Sequence, residues 1–226
     1  MPESSPSPSP TVLIVDDHGL VGTVLAHGLR AEGLSARHAG AVDVAGVLAE
    51  AGPLPVGLAL LDLDLGCDRS GRRFDGVDLI APLSARGWRC IVLSGAADRV
   101  RIGAALAAGA VAAVPKQAPF PVLLGKVRAV LAGHPVMAPE ARRQLIEAYR
   151  TKEAERRAIE EKLERLTRRE REVLAELARG HRAQAVADSY VVSLATVRTQ
   201  IRSVLNKLEV GSQLEAVALY RRVRPG

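Results

Sequence analysis

The chain has 226 residues, 48% of them hydrophobic and 25% charged, with a net charge of +6 and only two cysteines. That length admits one large or two small domains, and the composition excludes a wholly disordered chain. No uncharged stretch reaches the roughly 20 apolar residues of a membrane span, the N-terminus lacks the basic and apolar regions of a signal peptide, and Cys67 and Cys90 cannot frame a disulfide scaffold or a zinc site, so a reducing cytoplasm is expected. The charge is unevenly placed. Residues 1–136 hold 12 basic and 12 acidic side chains, whereas residues 137–226 hold 19 and 13. All the excess lies in the C-terminal part, as in a nucleic-acid-binding unit joined to a neutral one, although a solvated basic surface gives the same count.

Residues 1–10 alternate Ser and Pro and predict a disordered tail. Apolar runs then alternate with helical patterns. Strands are predicted at Thr11–Val15, Leu34–Ala39, Val56–Leu61, Cys90–Leu93 and Val111–Val114. Helices are predicted from Leu20 to Leu29, and over Val42–Ala51, Asp75–Arg86, Asp98–Ala108 and Pro121–Leu131, with a Gly/Arg/Asp-rich loop at Gly66–Phe74. Five βα units in about 120 residues imply an α/β fold with a doubly wound, five-stranded parallel sheet. Residues 136–165 form a linker dominated by a Glu/Arg/Lys/Ala-rich helix with i,i+4 Glu–Arg pairs. Its Leu145, Tyr149, Ile159, Leu163 and Leu166 offer either a broken coiled-coil seam or simply an exposed helix. Residues 166–226 carry four short helical patterns, with Thr167, Ser193 and Ser212 as caps.

In an open α/β sheet, ligands bind outside the carboxyl ends of the strands. There the chain places Asp16 and Asp17 after the first strand, Asp62 after the third, Ser94 after the fourth and Lys116 after the fifth. Three converging carboxylates repel one another, and Mg²⁺ relieves that repulsion while leaving room for phosphate oxygens. The chemistry this suggests is Mg²⁺-dependent phosphoryl transfer with a carboxylate nucleophile. Each residue alone has a duller role, as a helix cap or a loop lysine; five at the correct strand ends do not.

The set VDDH at 15–18, LLDLDLG at 60–66, DGVDLI at 75–80, VLSG at 92–95 and VPK at 114–116 resembles the receiver domain of bacterial response regulators, over roughly residues 11–133. The resemblance implies Asp62 as phospho-acceptor, with Mg²⁺ on Asp16, Asp17, Asp62 and the main-chain carbonyl of Asp64, and Ser94 and Lys116 on the phosphoryl oxygens. Ala113 stands where the family usually has an aromatic residue that packs inward on phosphorylation, and alanine cannot make that rotamer switch. The insertion CDRSGRR lengthens the loop after Asp62, and Asp64 adds a carboxylate, read as a solvated loop residue or as an influence on the attacking water. The DxD at Asp62–Asp64 also looks like that of haloacid-dehalogenase-type phosphatases, but there DxD ends the first strand and the acidic pair comes last, the reverse of the order here.

LTRREREVLAELARG at 166–180, AQAVA at 183–187 and VSLATVRTQIRSVLNKLEV at 192–210 resemble the LuxR-type helix-turn-helix. Thr196, Arg198, Thr199, Gln200, Arg202 and Lys207 form the polar, cationic face expected to read DNA, since Arg suits guanine and Gln adenine. The organisation expected is a tail at 1–10, a receiver at 11–135, a linker helix at 136–165 and the all-α helix-turn-helix domain at 166–226. The whole resembles a NarL/FixJ-type response regulator. The resemblance implies a transcription factor rather than a turnover enzyme, phosphorylated by a sensor histidine kinase, binding double-stranded DNA as a homodimer, admitting RNA polymerase as a further partner and having no membrane association. The competing reading is a phosphorylation-independent DNA-binding regulator whose receiver serves for dimerisation or ligand binding.

Overall fold

The computed structural model describes residues 9–40, 43–68, 70–95 and 98–224. Most of the expected disordered tail lies outside the described residues. The chain divides into two units, Met1–Arg150 and Thr151–Gly226.

In the first unit, strand β1 (Thr11–Val15) is followed by α1 (Gly19–Ala31), β2 (Ser35–Ala39), α2 (Val44–Ala51) and β3 (Leu58–Asp62). Next come β4 (Asp64–Cys67), β5 (Arg73–Asp75), α3 (Val77–Ser84), β6 (Arg89–Ser94), α4 (Arg99–Ala107), β7 (Ala112–Pro115) and α5 (Phe120–Leu131). The main sheet has the order β2-β1-β3-β6-β7, and every pairing in it is parallel. β1 and β3 are buried along their whole length, which is why Val12–Val15 and Leu58–Leu61 are apolar throughout. One face packs against α2, α3 and α4 through Val47, Leu79, Leu83 and Leu106, and the other against α1 and α5 through Leu29, Leu124 and Val127. This is the doubly wound sheet that the alternation implied.

The segment expected as a loop at 66–74 instead contributes to an antiparallel hairpin, β4 with β5, pairing Asp64 with Asp75 and Cys67 with Arg73. Leu65 and Phe74, which flank the insertion, turn inward and are 5% exposed, so the hairpin contributes to the core. Asp68 organises the turn by accepting hydrogen bonds from the Ser70 amide (2.8 Å) and the Arg72 amide (2.9 Å). Gly76 then brings the chain against β3: a Cβ there would lie 1.9 Å from the Asp62 carbonyl oxygen.

Helix α6 (Pro139–Glu164) starts in the first unit, where Leu145 and Ile146 pack on the core. A Cβ on Gly103 of α4 would lie 2.2 Å from the Leu145 carbonyl oxygen, so the close approach of α6 to α4 needs glycine there. Arg142 donates to the carbonyls of Ala110 (2.6 Å) and Leu106 (2.7 Å), satisfying backbone acceptors at the end of α4.

The second unit holds the last turns of α6 with α7 (Arg168–Ala178), α8 (Ala183–Ser189), α9 (Leu194–Leu208) and α10 (Gln213–Val223). Ile159, Leu163 and Leu166 are buried in its core with Val173, Leu174, Val197, Val204 and Leu208. This corrects the expectation of an exposed linker or a coiled-coil seam: both ends of the apolar stripe are used within their own units. Thr167 and Glu170 form a reciprocal capping box at the start of α7. Glu209 closes α9 in the left-handed region (φ 58°), where its carboxylate meets Lys162 (2.8 Å) and Arg165 (3.3 Å).

Candidate functional site

The carboxyl ends of β1, β3, β6 and β7 bring Asp16, Asp17, Asp62, Ser94 and Lys116 to one edge of the sheet. Asp62 is 1% exposed at the end of β3. Its Oδ2 accepts from Lys116 Nζ at 2.5 Å, and its Oδ1 accepts from the Asp64 amide at 3.1 Å. Burial raises the Asp62 pKa, the Asp16 charge adds to the rise, and the Lys116 and Asp64 hydrogen bonds oppose it. For Lys116, burial works against the charged form, but the hydrogen bond and charge of Asp62 outweigh it and hold the ammonium above its ordinary value. Ser94 is also buried, at the end of β6.

Asp16 lies behind this pair. Its Oδ1 accepts from the His18 amide (2.8 Å), and its Oδ2, buried, has no hydrogen-bond partner among the described residues. Lys116 Nζ is 3.8 Å from that oxygen. Asp16, Asp17, His18 and Asp62 each offer one ligand atom, all within 4.8 Å of one another. An orphaned buried carboxylate oxygen beside two further carboxylates is a donor set that fits a hard divalent cation.

Two residues join the site that the strand-end pattern did not single out. His18 Nδ1 lies 2.8 Å from Asp17 Oδ1; the sequence signal was its place directly after the acidic pair. His38 Nε2–H donates to the Asp16 carbonyl at 3.1 Å, and nothing in its surrounding sequence marks it. Asp64 is not simply solvated: its carboxylate pairs with Arg73 (2.9 Å) and Arg101 (2.7 Å), and the Arg101 hydrogen bond chiefly holds its pKa low.

On α9, Ser193 caps the helix by accepting from the Thr196 amide (3.1 Å), and the Thr196 hydroxyl lies 2.8 Å from the Ser193 hydroxyl. Thr199 donates back to the Ala195 carbonyl (3.0 Å). Arg198 and Arg202 are exposed. Gln200 is half-buried, and its buried Oε1 has no hydrogen-bond partner among the described residues. Lys207 departs from the expected DNA-reading face. Its ammonium lies 2.7 Å from the buried Glu170, which also accepts from Ser203 (2.6 Å), so it ties α9 to α7.

The family described as "Response regulator receiver domain" matches residues 12–128, and that described as "Bacterial regulatory proteins, luxR family" matches residues 164–220. The chain belongs to the NarL/FixJ-type response regulators. It is 30% identical over 226 residues to the nitrate/nitrite response regulator protein NarP of Escherichia coli (strain K12), covering 99% of each chain. It is 31% identical over 212 residues to the transcriptional activator protein ExaE of Pseudomonas putida, covering 92% of this chain and 94% of that one. The fold is shared with the two-component response regulator RcsB in an RcsB–DNA complex, at a TM-score of 0.50 and 23% identity over 95% of this chain and 99% of that one. This response regulator therefore joins a receiver to a LuxR-type DNA-binding domain, the architecture of a transcriptional regulator. Among the described residues no helix is long and apolar enough to cross a membrane.

Proposed function

We propose that this response regulator accepts a phosphoryl group on Asp62 from a sensor histidine kinase and so controls DNA binding by α9, acting as a cytoplasmic homodimer and not as a turnover enzyme. The observation that carries the reading is the Asp62 carboxylate, buried and held by Lys116 and the Asp64 amide beside an Asp16 oxygen that has no hydrogen-bond partner among the described residues. Asp16, Asp17, Asp62 and the main-chain carbonyl of Asp64 would hold Mg²⁺, which when bound offsets the carboxylate charge and that of the incoming phosphoryl oxygens. The Asp62 carboxylate forms the new O–P bond while the donor's bond to phosphorus breaks and the leaving group keeps that electron pair. The Lys116 ammonium, freed from its direct pairing, and the Ser94 hydroxyl at the end of β6 would then contact the phosphoryl oxygens.

On α9, Arg198 and Arg202 carry the contacts to double-stranded DNA, with Thr196, Thr199 and Gln200 beside them. Because Ile159, Leu163 and Leu166 are buried in their own unit, pairing draws on the receiver surface. Leu20 and Val24 of α1 and Val122 of α5 are exposed there, and these helices meet where Phe120 lies against Gly28.

The test is labelling of the purified full chain by acetyl phosphate. Label is expected with Mg²⁺ and not without it, and Asp62→Asn is expected to abolish it; equal labelling of the Asn variant would overturn the assignment. Ala113, with no ring to turn inward, supports the second reading, a regulator independent of phosphorylation. That reading requires operator affinity to be the same before and after labelling.

A further inference from the structure

Arg101, on the first turn of α4, reaches the loop that follows the acceptor. One terminal nitrogen donates to Asp64 Oδ1 at 2.7 Å. The other donates to the Leu63 carbonyl at 2.7 Å and to Asp75 Oδ2 at 3.0 Å. The Leu63 carbonyl also accepts from the Gly76 amide at 3.1 Å. The peptide between Leu63 and Asp64 is a single plane, so fixing its carbonyl fixes its N–H. That N–H, on Asp64, is the one that donates to Asp62 Oδ1. The guanidinium therefore holds, from behind, the peptide that orients the phospho-acceptor. A cation on the carbonyl also polarises the peptide and strengthens its N–H as a donor. The side chain is only 25% exposed, which limits competition from water. A planar fork that serves two carboxylates and a carbonyl at once is a geometry lysine cannot copy.

We propose that Arg101 is a positioning residue for phosphoryl transfer to Asp62, acting through the Leu63–Asp64 peptide. The proposal rests on Asp62 as acceptor and adds a residue that none of the strand-end positions supplies. The same peptide leads into the Asp64 carbonyl, so Arg101 also holds the segment that would offer Mg²⁺ its main-chain ligand. With acetyl phosphate as donor, the Asp62 carboxylate forms the O–P bond and acetate departs with the electrons of the broken bond. Arg101 exchanges no proton in that step; it sets where the carboxylate stands.

The experiment uses the full chain, acetyl phosphate and Mg²⁺, and reads both the initial labelling rate and, separately by calorimetry, the affinity for Mg²⁺ alone. Arg101→Ala is expected to label about 10–100-fold more slowly, the usual cost of losing an outer partner of a metal or phosphoryl site, and to bind Mg²⁺ more weakly. Guanidinium ion at low, non-denaturing concentration is expected to restore part of the rate, which it would not do for a misfolded protein. Arg101→Lys should fall between Arg101→Ala and wild type. Arg73→Ala, which removes the other guanidinium on Asp64 Oδ1 (2.9 Å), should label nearly as wild type, because Arg101 keeps its bonds to the Leu63 carbonyl and Asp75. A wild-type rate and Mg²⁺ affinity in Arg101→Ala, the absence of guanidinium rescue, or an equal loss in Arg73→Ala each overturns the proposal. Labelling of Asp62→Asn, or none of wild type, instead removes the acceptor assignment, and the proposal falls with it.

Discussion

Lys207 and Glu170 meet at 2.7 Å across α9 and α7, on the inner side of the helix whose outer side carries Arg198 and Arg202. Glu170 is 7% exposed. Its carboxylate accepts from Lys207, Ser203 and the Thr167 amide, and its own amide donates to the Thr167 hydroxyl. A single carboxylate thus joins the start of α7 to the last turns of α9 and fixes how the helix-turn-helix presents its exposed arginines.

That carboxylate makes the second unit acid-sensitive. Burial alone would raise its pKa, but the bonds from Lys207, Ser203 and Thr167 prevail and lower it from 4.5 to about 2. A depressed carboxyl pKa stabilises the fold fully above the unfolded value, and the contribution drains as pH falls from about 4.5 toward 2. Its size is of order 3 kcal/mol. Denaturant titrations of Glu170→Gln are expected to show lower stability at pH 7 and a flatter loss between those two pH values. An unchanged slope would mean that the carboxylate is not the acid-labile group.

Arg198 and Arg202 are exposed on α9 and have no hydrogen-bond or ion-pair partner among the described residues. Arg198→Ala and Arg202→Ala are each expected to weaken operator binding and to reduce the salt slope by roughly one for each phosphate no longer neutralised. Lys207→Ala should act differently, lowering the melting temperature of the second unit because it leaves Glu170 buried without its cation. Binding isotherms at several salt concentrations, with thermal melts alongside, separate the two classes. Equal melting of all three variants would put Lys207 back on the DNA-reading face.

The sheet and the five strand-end residues were legible because each rests on a local signal: an apolar run, then a polar residue where the strand leaves the core. Thr11–Val15 ending at Asp16 and Leu58–Leu61 ending at Asp62 are of this kind. The hairpin was not legible, because its buried residues among those described, Leu65 and Phe74, lie nine positions apart on either side of a stretch of Gly, Arg and Asp. Arg101 was hidden for another reason. It sits on a helix 37 and 26 residues from the two carboxylates it binds, and an arginine on an amphipathic helix reads as solvated until the tertiary fold is known. Lys207 and the stripe Ile159–Leu163–Leu166 show the same limit: periodicity assigned them a face but not what that face meets.

The packing of α6 on α4 is decided by one missing methyl. A Cβ at Gly103 would fall 2.2 Å from the Leu145 carbonyl oxygen and 2.8 Å from Tyr149 Cβ, both on α6. Backbone cannot yield as a flexible side chain can, so Gly103→Ala must push the helices apart despite alanine's better helix propensity. A loss of about 1–3 kcal/mol is expected, the usual cost of overpacking. Hydrogen exchange should show faster opening at the start of α6, where Arg142 otherwise caps Leu106 and Ala110. A Gly103→Ala variant as stable as wild type, with unchanged exchange, would mean that the helices separate at no cost.

The limit of the independently folding DNA-binding unit is set by α6 rather than by the start of α7. Ile159 and Leu163 are 9% and 7% exposed, and both pack into the core that holds Val173, Val204 and Leu208. A fragment beginning at Leu166 keeps the matched helix-turn-helix segment almost whole but removes both side chains and leaves their core neighbours facing water. Losing a buried Leu or Ile side chain costs about 2–5 kcal/mol, which is a large part of the stability of so small a unit. It also removes Lys162 and Arg165, the partners of Glu209, so the left-handed end of α9 is left without its ion pairs. A fragment of residues 151–226 is therefore expected to melt cooperatively, and one of residues 166–226 to melt much lower or to lack a transition. Circular dichroism melts of the two fragments under one buffer check this, and equal melting temperatures would show that α6 adds nothing to the fold of the unit.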